Sequence, residues 1–392
     1  MARKDNRHPA TIAAHAGRHP RDNHGIVNPP VYHASTVVFP TVKALEESQA
    51  APLDHIHYGR YGTPTTMAFE EAVAAFEGGE RTVATPSGLA AITAALLAFL
   101  SAGDHVLITD SVYFPTRKFA LDMLKRLGVE ATFYDPVIGA GIADLIRPNT
   151  KVLFLESPGS LTFEVQDIPA MTRAAKAKGV VTIMDNTWSA GLYFRPFEHG
   201  VDVALQAATK FIAGHSDAML GTITTRRDLY EKIKWTTVRL GIAPGPDDCY
   251  LGLRGLRTLV TRMPRHQETG LHLAQWLASR PEVARVLHPA LPGTPGHDLW
   301  KRDFTGCSGL FGVVFRPFPK TAVEAMLDGL ELFAMGYSWG GYESLIVPTY
   351  PEKVRSATPW NEAGPAIRIH AGLEDVGDLQ ADLEAGLKRL TA

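Results

Sequence analysis

From about residue 80 onward the chain alternates short apolar runs with longer stretches of helical period. Segments 82–85, 104–109, 130–134, 151–155, 180–184 and 201–205 have strand length, while 89–100, 117–127 and 169–177 space their apolar residues as helices do. Runs that are apolar throughout, rather than alternating, belong to strands buried on both faces. Separated by helices, they predict an α/β fold with a mainly parallel sheet covered on both sides. In such sheets ligands bind beyond the carboxyl ends of the strands, where Ser157, Asp185 and Lys210 fall. Past residue 250, helical stretches at 254–265 and 271–277 and strand-like runs at 309–315 and 367–370 predict a smaller α/β domain. The expected division is an extended arm at 1–60, rich in Pro, His, Asn and Gly, a large ligand-binding domain at 61–250 and a C-terminal domain at 251–392.

Composition narrows the class. Of 392 residues, 45% are apolar and 20% charged, a profile that excludes a disordered chain. Lys plus Arg number 39 against 41 Asp plus Glu, so there is no basic footprint for nucleic acid or an anionic membrane. The apolar stretch 89–100 falls short of the ~20 residues that span a bilayer. Met1-Ala2-Arg3-Lys4-Asp5 opens no secretory h-region, and a cytoplasmic enzyme is expected. Cys249 and Cys307 are too few and too isolated for a disulfide framework or a zinc site. His55-Ile56-His57-Tyr58 lacks the further ligands a metal would need, so none is expected. Neither a complete Walker loop nor a G-x-G-x-x-G run occurs, and a Ser-His-Asp hydrolase elbow is not expected either.

The chemistry-bearing residues lie where strands end. Asp185 closes the apolar run 180–184, and Lys210 follows in Gln206-Ala207-Ala208-Thr209-Lys210. An amine that can form a Schiff base with an aldehyde, beside an acid that can keep a ring nitrogen protonated, suits pyridoxal phosphate. Ser87-Gly88-Leu89 follows a strand and opens a helix, whose first N–H groups can cradle a phosphate. Thr209 adds a hydroxyl next to Lys210. Tyr58-Gly59-Arg60 puts a phenol and a guanidinium in the arm, and Arg matches phosphate geometry well. Tyr113 follows another strand and can lay its ring on a cofactor. Arg368 is a charge inside the short strand-like run Ala366-Ile367-Arg368-Ile369-His370. Buried there it needs an anionic partner, and a substrate carboxylate would serve.

These segments together resemble the cysteine/methionine-metabolism family of pyridoxal-phosphate enzymes, of fold type I (aspartate-aminotransferase-like). The stretch Ala208-Thr209-Lys210-Phe211-Ile212-Ala213-Gly214-His215-Ser216-Asp217 is the most specific part of the likeness, which runs from the arm to Ile367–Asp375. The resemblance implies that Lys210 is the Schiff-base lysine, that Asp185 pairs with the pyridine nitrogen, and that Gly88, Leu89 and Thr209 hold the phosphate. It implies that Tyr113 stacks on the ring, with Lys210 or Tyr113 returning a proton to the leaving sulfur, and that Arg368 binds the substrate carboxylate. Tyr58 and Arg60 match arm residues that enter the neighbouring subunit's site, which implies active-site dimers doubled to a homotetramer.

Within the family, Tyr337-Ser338-Trp339 is the informative segment. γ-Acting members commonly carry an acidic residue where Tyr337 stands and a leucine at Trp339. With Tyr337, Ser338 and Trp339 beside the substrate, the segment is similar to that of bacterial cystathionine β-lyases. The implied activity is β-elimination of L-cystathionine to homocysteine, pyruvate and ammonia in methionine biosynthesis; the alternative is another carbon–sulfur lyase or a γ-acting relative. Two positions depart from the family pattern: Ala207 stands where many relatives carry serine, and Thr236-Thr237-Val238 lacks a tyrosine found in some β-lyases.

Overall fold

The computed structural model describes residues 7–53 and 55–391, so the segment Met1–Asp5 discussed above lies outside them. Strands β1 (Arg81–Thr85), β2 (His105–Thr109), β3 (Glu130–Tyr134), β4 (Thr150–Glu156), β5 (Val181–Asp185), β6 (Val203–Gln206) and β7 (Gly221–Thr225) form one sheet. Its order is β1-β7-β6-β5-β4-β2-β3. The neighbours from β6 to β3 are parallel, and β7 alone runs opposite, pairing antiparallel with both β6 and β1.

The apolar-throughout pattern follows from cover on both faces. Val152 and Phe154 pack with Ala91, Ala95 and Leu96 of the helix Gly88–Phe99. Their neighbours Leu153 and Leu155 point the other way, toward Ile168 and Met171 of the helix Ile168–Ala177. With a side-chain period of two, a strand buried on both sides shows no alternation.

A second sheet holds β8 (Val283–Leu287), β9 (Leu310–Phe315), β10 (Ala334–Met335), β11 (Leu345–Thr349) and β12 (Ala366–His370), in the order β10-β11-β12-β9-β8. Ile367 and Ile369 of β12 join a core with Leu379, Leu383 and Leu387 of the helix Val376–Leu390. Arg368 and His370 therefore share the opposite face, turned toward the first sheet.

The structure departs from the sequence reading in three places. The arm is not extended throughout: helices Pro9–His15 and Val42–Ala50 interrupt it, and Ile12 and Ala13 are buried against the helices Pro64–Glu77 and Pro246–Ala278. The two stretches expected at 254–265 and 271–277 are one 33-residue helix, Pro246–Ala278, which continues through Pro264. The helix expected at 117–127 is an α-helix at Phe114–Phe119 continued by a π-turn at Ala120–Leu124. Among the described residues no helix is long and apolar enough to cross a membrane.

Candidate active site

The carboxyl ends of β4 and β5 place two acids side by side, Glu156 and Asp185 being register partners. Asp185 Oδ1 accepts the Thr187 N–H at 3.0 Å and the Thr187 hydroxyl at 2.5 Å. Burial raises its carboxyl pKa, and the Thr187 bonds and the Lys210 charge pull against that. Glu156 is raised well above the ordinary range, first by burial and then by the Asp185 charge. Its Oε2 accepts the N–H of Tyr113 at 2.8 Å. The Tyr113 phenol is also raised, by burial first and by Asp185 and Glu156 next, so it keeps its proton at neutral pH.

Lys210 follows β6 in a tight turn closed by its own N–H on Ala207 O at 2.9 Å. Its Nζ donates to Ser338 Oγ at 2.5 Å and lies 5.4 Å from the centre of the Trp339 ring. Burial, then the Arg368 charge, bring the amine down to about 8, with Asp185 opposing. Desolvation and the repulsion win, so about a tenth of the amine is neutral at pH 7, far more than for an ordinary lysine. Arg368 Nη2 donates to the Ser338 carbonyl at 3.0 Å, and burial lowers the guanidinium to about 10, still cationic at neutral pH.

The turn that carries Ser338 and Trp339 is held in an uncommon backbone shape. Ser338 has φ +84° and Gly340 has φ +86°. A Cβ on Gly340 would lie 2.9 Å from Phe211 N and 3.1 Å from Lys210 Cα, so only glycine lets this turn approach the lysine so closely. The Gly340 N–H also meets His370 Nε2 at 3.1 Å. Arg368 and His370, on one face of β12, thus hold the two ends of the turn.

Gly88 opens the helix Gly88–Phe99 against the other flank. A Cβ there would lie 2.5 Å from Ala207 Cβ, so the helix N-terminus abuts the segment leading to Lys210. Ala207 faces this contact with a methyl alone. Ser87 Oγ caps the Ala90 N–H at 3.1 Å, and the earlier N–H groups of the first turn, at Gly88 and Leu89, point out of the helix as free donors do. Thr209 is occupied differently: its hydroxyl donates to Leu220 O at 3.1 Å and accepts the Leu220 N–H at 2.9 Å.

Lys210, Asp185, Tyr113, Arg368, Ser338 and Trp339 are therefore brought together, while three expected residues stand apart. Arg60 bonds to Val238 O and lies over the Tyr61 ring at 5.2 Å. Tyr58 is exposed, and Tyr337 is 94% exposed although its neighbour Ser338 touches the lysine. One spacing escaped the reading of the sequence: Gly336-Tyr337-Ser338-Trp339-Gly340 is a G-x-S-x-G run. It follows the two-residue strand β10 and opens no helix, so the strand–turn–helix of a hydrolase elbow is missing.

The model of the family described as Cys/Met metabolism PLP-dependent enzyme matches residues 10–388. The chain belongs to this family. Its fold is that of the family: a solved cystathionine gamma synthase from Xanthomonas oryzae pv. oryzae, in complex with aminoacrylate and cysteine, superposes with a TM-score of 0.90 at 30% identity, covering 98% of this chain and 99% of that one. Cystathionine beta-lyase MetC of Escherichia coli (strain K12) is 44% identical over 97% of this chain and 98% of its own length. An L-alanine/L-glutamate racemase of Wolbachia pipientis wMel is 42% identical over 97% of each.

The cofactor of this PLP-dependent family is pyridoxal 5′-phosphate, and the residues present fit it. An amine lowered to about 8, a half-buried carboxylate and the first turn of a helix with a glycine approach are the groups that an aldehyde, a protonated pyridine nitrogen and a phosphate require. The sequence reading missed Glu156, Thr187 and His370. For Glu156 a signal was available, since it ends the apolar run 152–155 as Asp185 ends 180–184. For Thr187 there was none, because an Asx-type contact two residues on is common after any strand.

Proposed function

We propose that the chain is a carbon–sulfur lyase that cleaves L-cystathionine by β-elimination, consuming one water and giving homocysteine, pyruvate and ammonia. The observation that carries this reading is the Ser338–Trp339 turn held against Lys210 by Arg368, with a tryptophan facing the amine where γ-acting members commonly carry leucine. The 44% identity to the Escherichia coli enzyme supports it.

Lys210 would hold pyridoxal phosphate in the resting protein and yield it to the substrate's amine, which leaves Nζ free; the cofactor would supply the electron sink for charge developing at the substrate α-carbon. The N–H groups of Gly88 and Leu89 would hold the phosphate, and Thr209 could join them only by giving up its hydroxyl bond to Leu220 O. Asp185 would hold the pyridine nitrogen and Tyr113 would cover the ring. Arg368 binds the α-carboxylate, exchanging its bond to the Ser338 carbonyl for a charged one. That contact orients the α-C–H bond toward Lys210 Nζ, which removes the proton as general base. The sulfur leaves with a proton from Lys210 Nζ or from the Tyr113 hydroxyl, both of which carry one at the start of that step. Tyr58 and Arg60, lying apart from their own Lys210, complete the site of a second copy, and active-site dimers pair into a tetramer.

The test follows keto acid and thiol together from L-cystathionine. Pyruvate with homocysteine is expected, with Lys210→Ala abolishing both turnover and the Schiff-base absorbance band. α-Ketobutyrate with cysteine would overturn β-elimination in favour of a γ-acting enzyme. Conversion of L-alanine to D-alanine without cystathionine turnover would overturn the lyase reading altogether.

A further inference from the structure

Glu156 is a half-buried acid that the mechanism above does not use. It ends β4 in register with Asp185 at the end of β5, and neighbouring strands lie only about 4.8 Å apart. Tyr113 faces Glu156 from the loop after β2, and Asp185 faces it from β5. No lysine or arginine among the described residues pairs with it; Lys210 acts on Asp185, and Arg368 acts on Tyr113. Two ionised carboxylates this close, with an amine acting on only one of them, would repel in a medium that screens poorly. One of them must hold a proton. Asp185 has its charge supported by two bonds from Thr187 and by Lys210, whereas Glu156 has a single backbone N–H. The proton therefore belongs on Glu156.

We propose that Glu156 is a positioning residue that works as an uncharged carboxylic acid: Oε2 fixes the backbone of Tyr113, and the proton leaves Asp185 as the one carboxylate charge at this end of the sheet. The role follows from where Tyr113 sits. Tyr113 precedes the helix Phe114–Phe119 with no capping side chain of its own, so its N–H would otherwise be an unfixed donor at the mouth of the site. An ionised Glu156 would hold the same N–H but would place a second negative charge beside the pyridine nitrogen's partner. A neutral acid holds the ring and leaves the electrostatics to Asp185. The inference rests on the assignment of Asp185 and Tyr113 to the cofactor site and not on the identity of the substrate.

The test compares wild type with Glu156→Gln and Glu156→Ala. In the infrared difference spectrum of wild type minus Glu156→Gln, taken on the cofactor-free protein at neutral pH, the C=O stretch of a protonated carboxylic acid is expected. Titrating each cofactor-free protein with pyridoxal phosphate is expected to show about tenfold weaker binding for Glu156→Ala, the loss of one hydrogen bond, and recovery of most of it by Glu156→Gln. The same order is expected in kcat/KM. Absence of the carboxylic-acid band, or a Glu156→Gln protein as weakened as Glu156→Ala or unable to fold, overturns the proposal, because each means that the ionised form is the one in use. If wild type binds the cofactor and shows the band but does not turn over cystathionine, the substrate assignment fails and the Glu156 proposal stands.

Discussion

Lys210 Nζ and Ser338 Oγ meet at 2.5 Å across 128 positions of chain, joining the turn after β6 to the turn after β10. The bond lets the second sheet report to the first: whatever moves the Ser338 turn changes the partner of the amine. An acceptor on Nζ favours the protonated form, so Ser338→Ala should push the amine further below about 8. The check is the pH dependence of amine labelling at Lys210 in cofactor-free protein, read by peptide mass spectrometry. A midpoint that stays put, or rises, would show that Ser338 does not bear on the charge.

The depressed Lys210 also predicts how stability changes with pH. The folded amine, at about 8, binds its proton less tightly than an unfolded lysine at 10.5. Below pH 8 the fold therefore carries the full penalty of a buried cation, up to about 3 kcal/mol. The penalty is relieved as pH rises from 8 toward 10.5, where the unfolded chain binds more protons. Cofactor-free wild type should gain stability through that window relative to Lys210→Met, in urea melts at matched pH. Parallel pH profiles for the two proteins would count against it.

Gly340→Ala is expected to damage the site more than its one added methyl suggests. The methyl would meet Phe211 N at 2.9 Å and Lys210 Cα at 3.1 Å, and alanine is strained at φ +86°. The backbone cost is about 1–3 kcal/mol, and the relief available is to push Lys210 or the Ser338 turn out of place. Turnover should fall by at least about tenfold while melting shifts by only a few degrees. A variant with unchanged kcat/KM would mean that the turn relaxes away from Lys210 freely.

Asp110 predicts where acid breaks the fold. Its side chain is 0% exposed and accepts the N–H groups of Ser356 (3.0 Å), Ala357 (2.9 Å) and Thr358 (3.0 Å), with Arg117 and Arg355 beside it. Burial alone would raise its pKa; the bonds from Thr358 and Ser356 and the Arg117 charge outweigh burial and lower it. Its contribution is thus complete above the unfolded value near 3.8 and is lost as pH falls through the lower folded value. Asp110→Asn leaves two buried guanidiniums short of a charge and should cost about 3–5 kcal/mol at neutral pH, with a weaker dependence on acid below pH 4. Chemical denaturation at pH 7 and pH 3 measures both.

Much of this site was legible because its residues interrupt a pattern. Asp185 and Arg368 are charges inside or at the end of apolar runs, and β3 was readable residue for residue at 130–134. β7 was not, since Gly221-Thr222-Ile223-Thr224-Thr225 carries a single large apolar side chain. It is buried all the same: the Thr224 hydroxyl meets that of Thr82 at 2.9 Å and the Thr225 hydroxyl donates to Asp202 O at 3.0 Å, while that of Thr222 has no partner among the described residues. The long helix joins both expected stretches through His266-Gln267-Glu268-Thr269-Gly270, a run with no large apolar residue and a glycine at its end, which carries no helical apolar period. Tyr337 shows a different limit. Its sequence neighbourhood places it beside Ser338, yet the positive φ at Ser338 turns the chain there and leaves Tyr337 in solvent.

The antiparallel placement of β7 between β6 and β1 also sets a timetable for synthesis. Thr82 and Thr224 bond across 142 positions, so β1 leaves the ribosome long before the strand it pairs with exists. In that interval its N–H and C=O groups have no sheet to join, and the buried face of the helix Gly88–Phe99 has only part of its cover. The nascent chain must wait for residues 221–225 before the sheet acquires its outer edge. Contacts this distant slow folding and prolong exposure of sticky surface. Truncation anywhere before β7 should therefore yield an aggregating fragment rather than a smaller working domain.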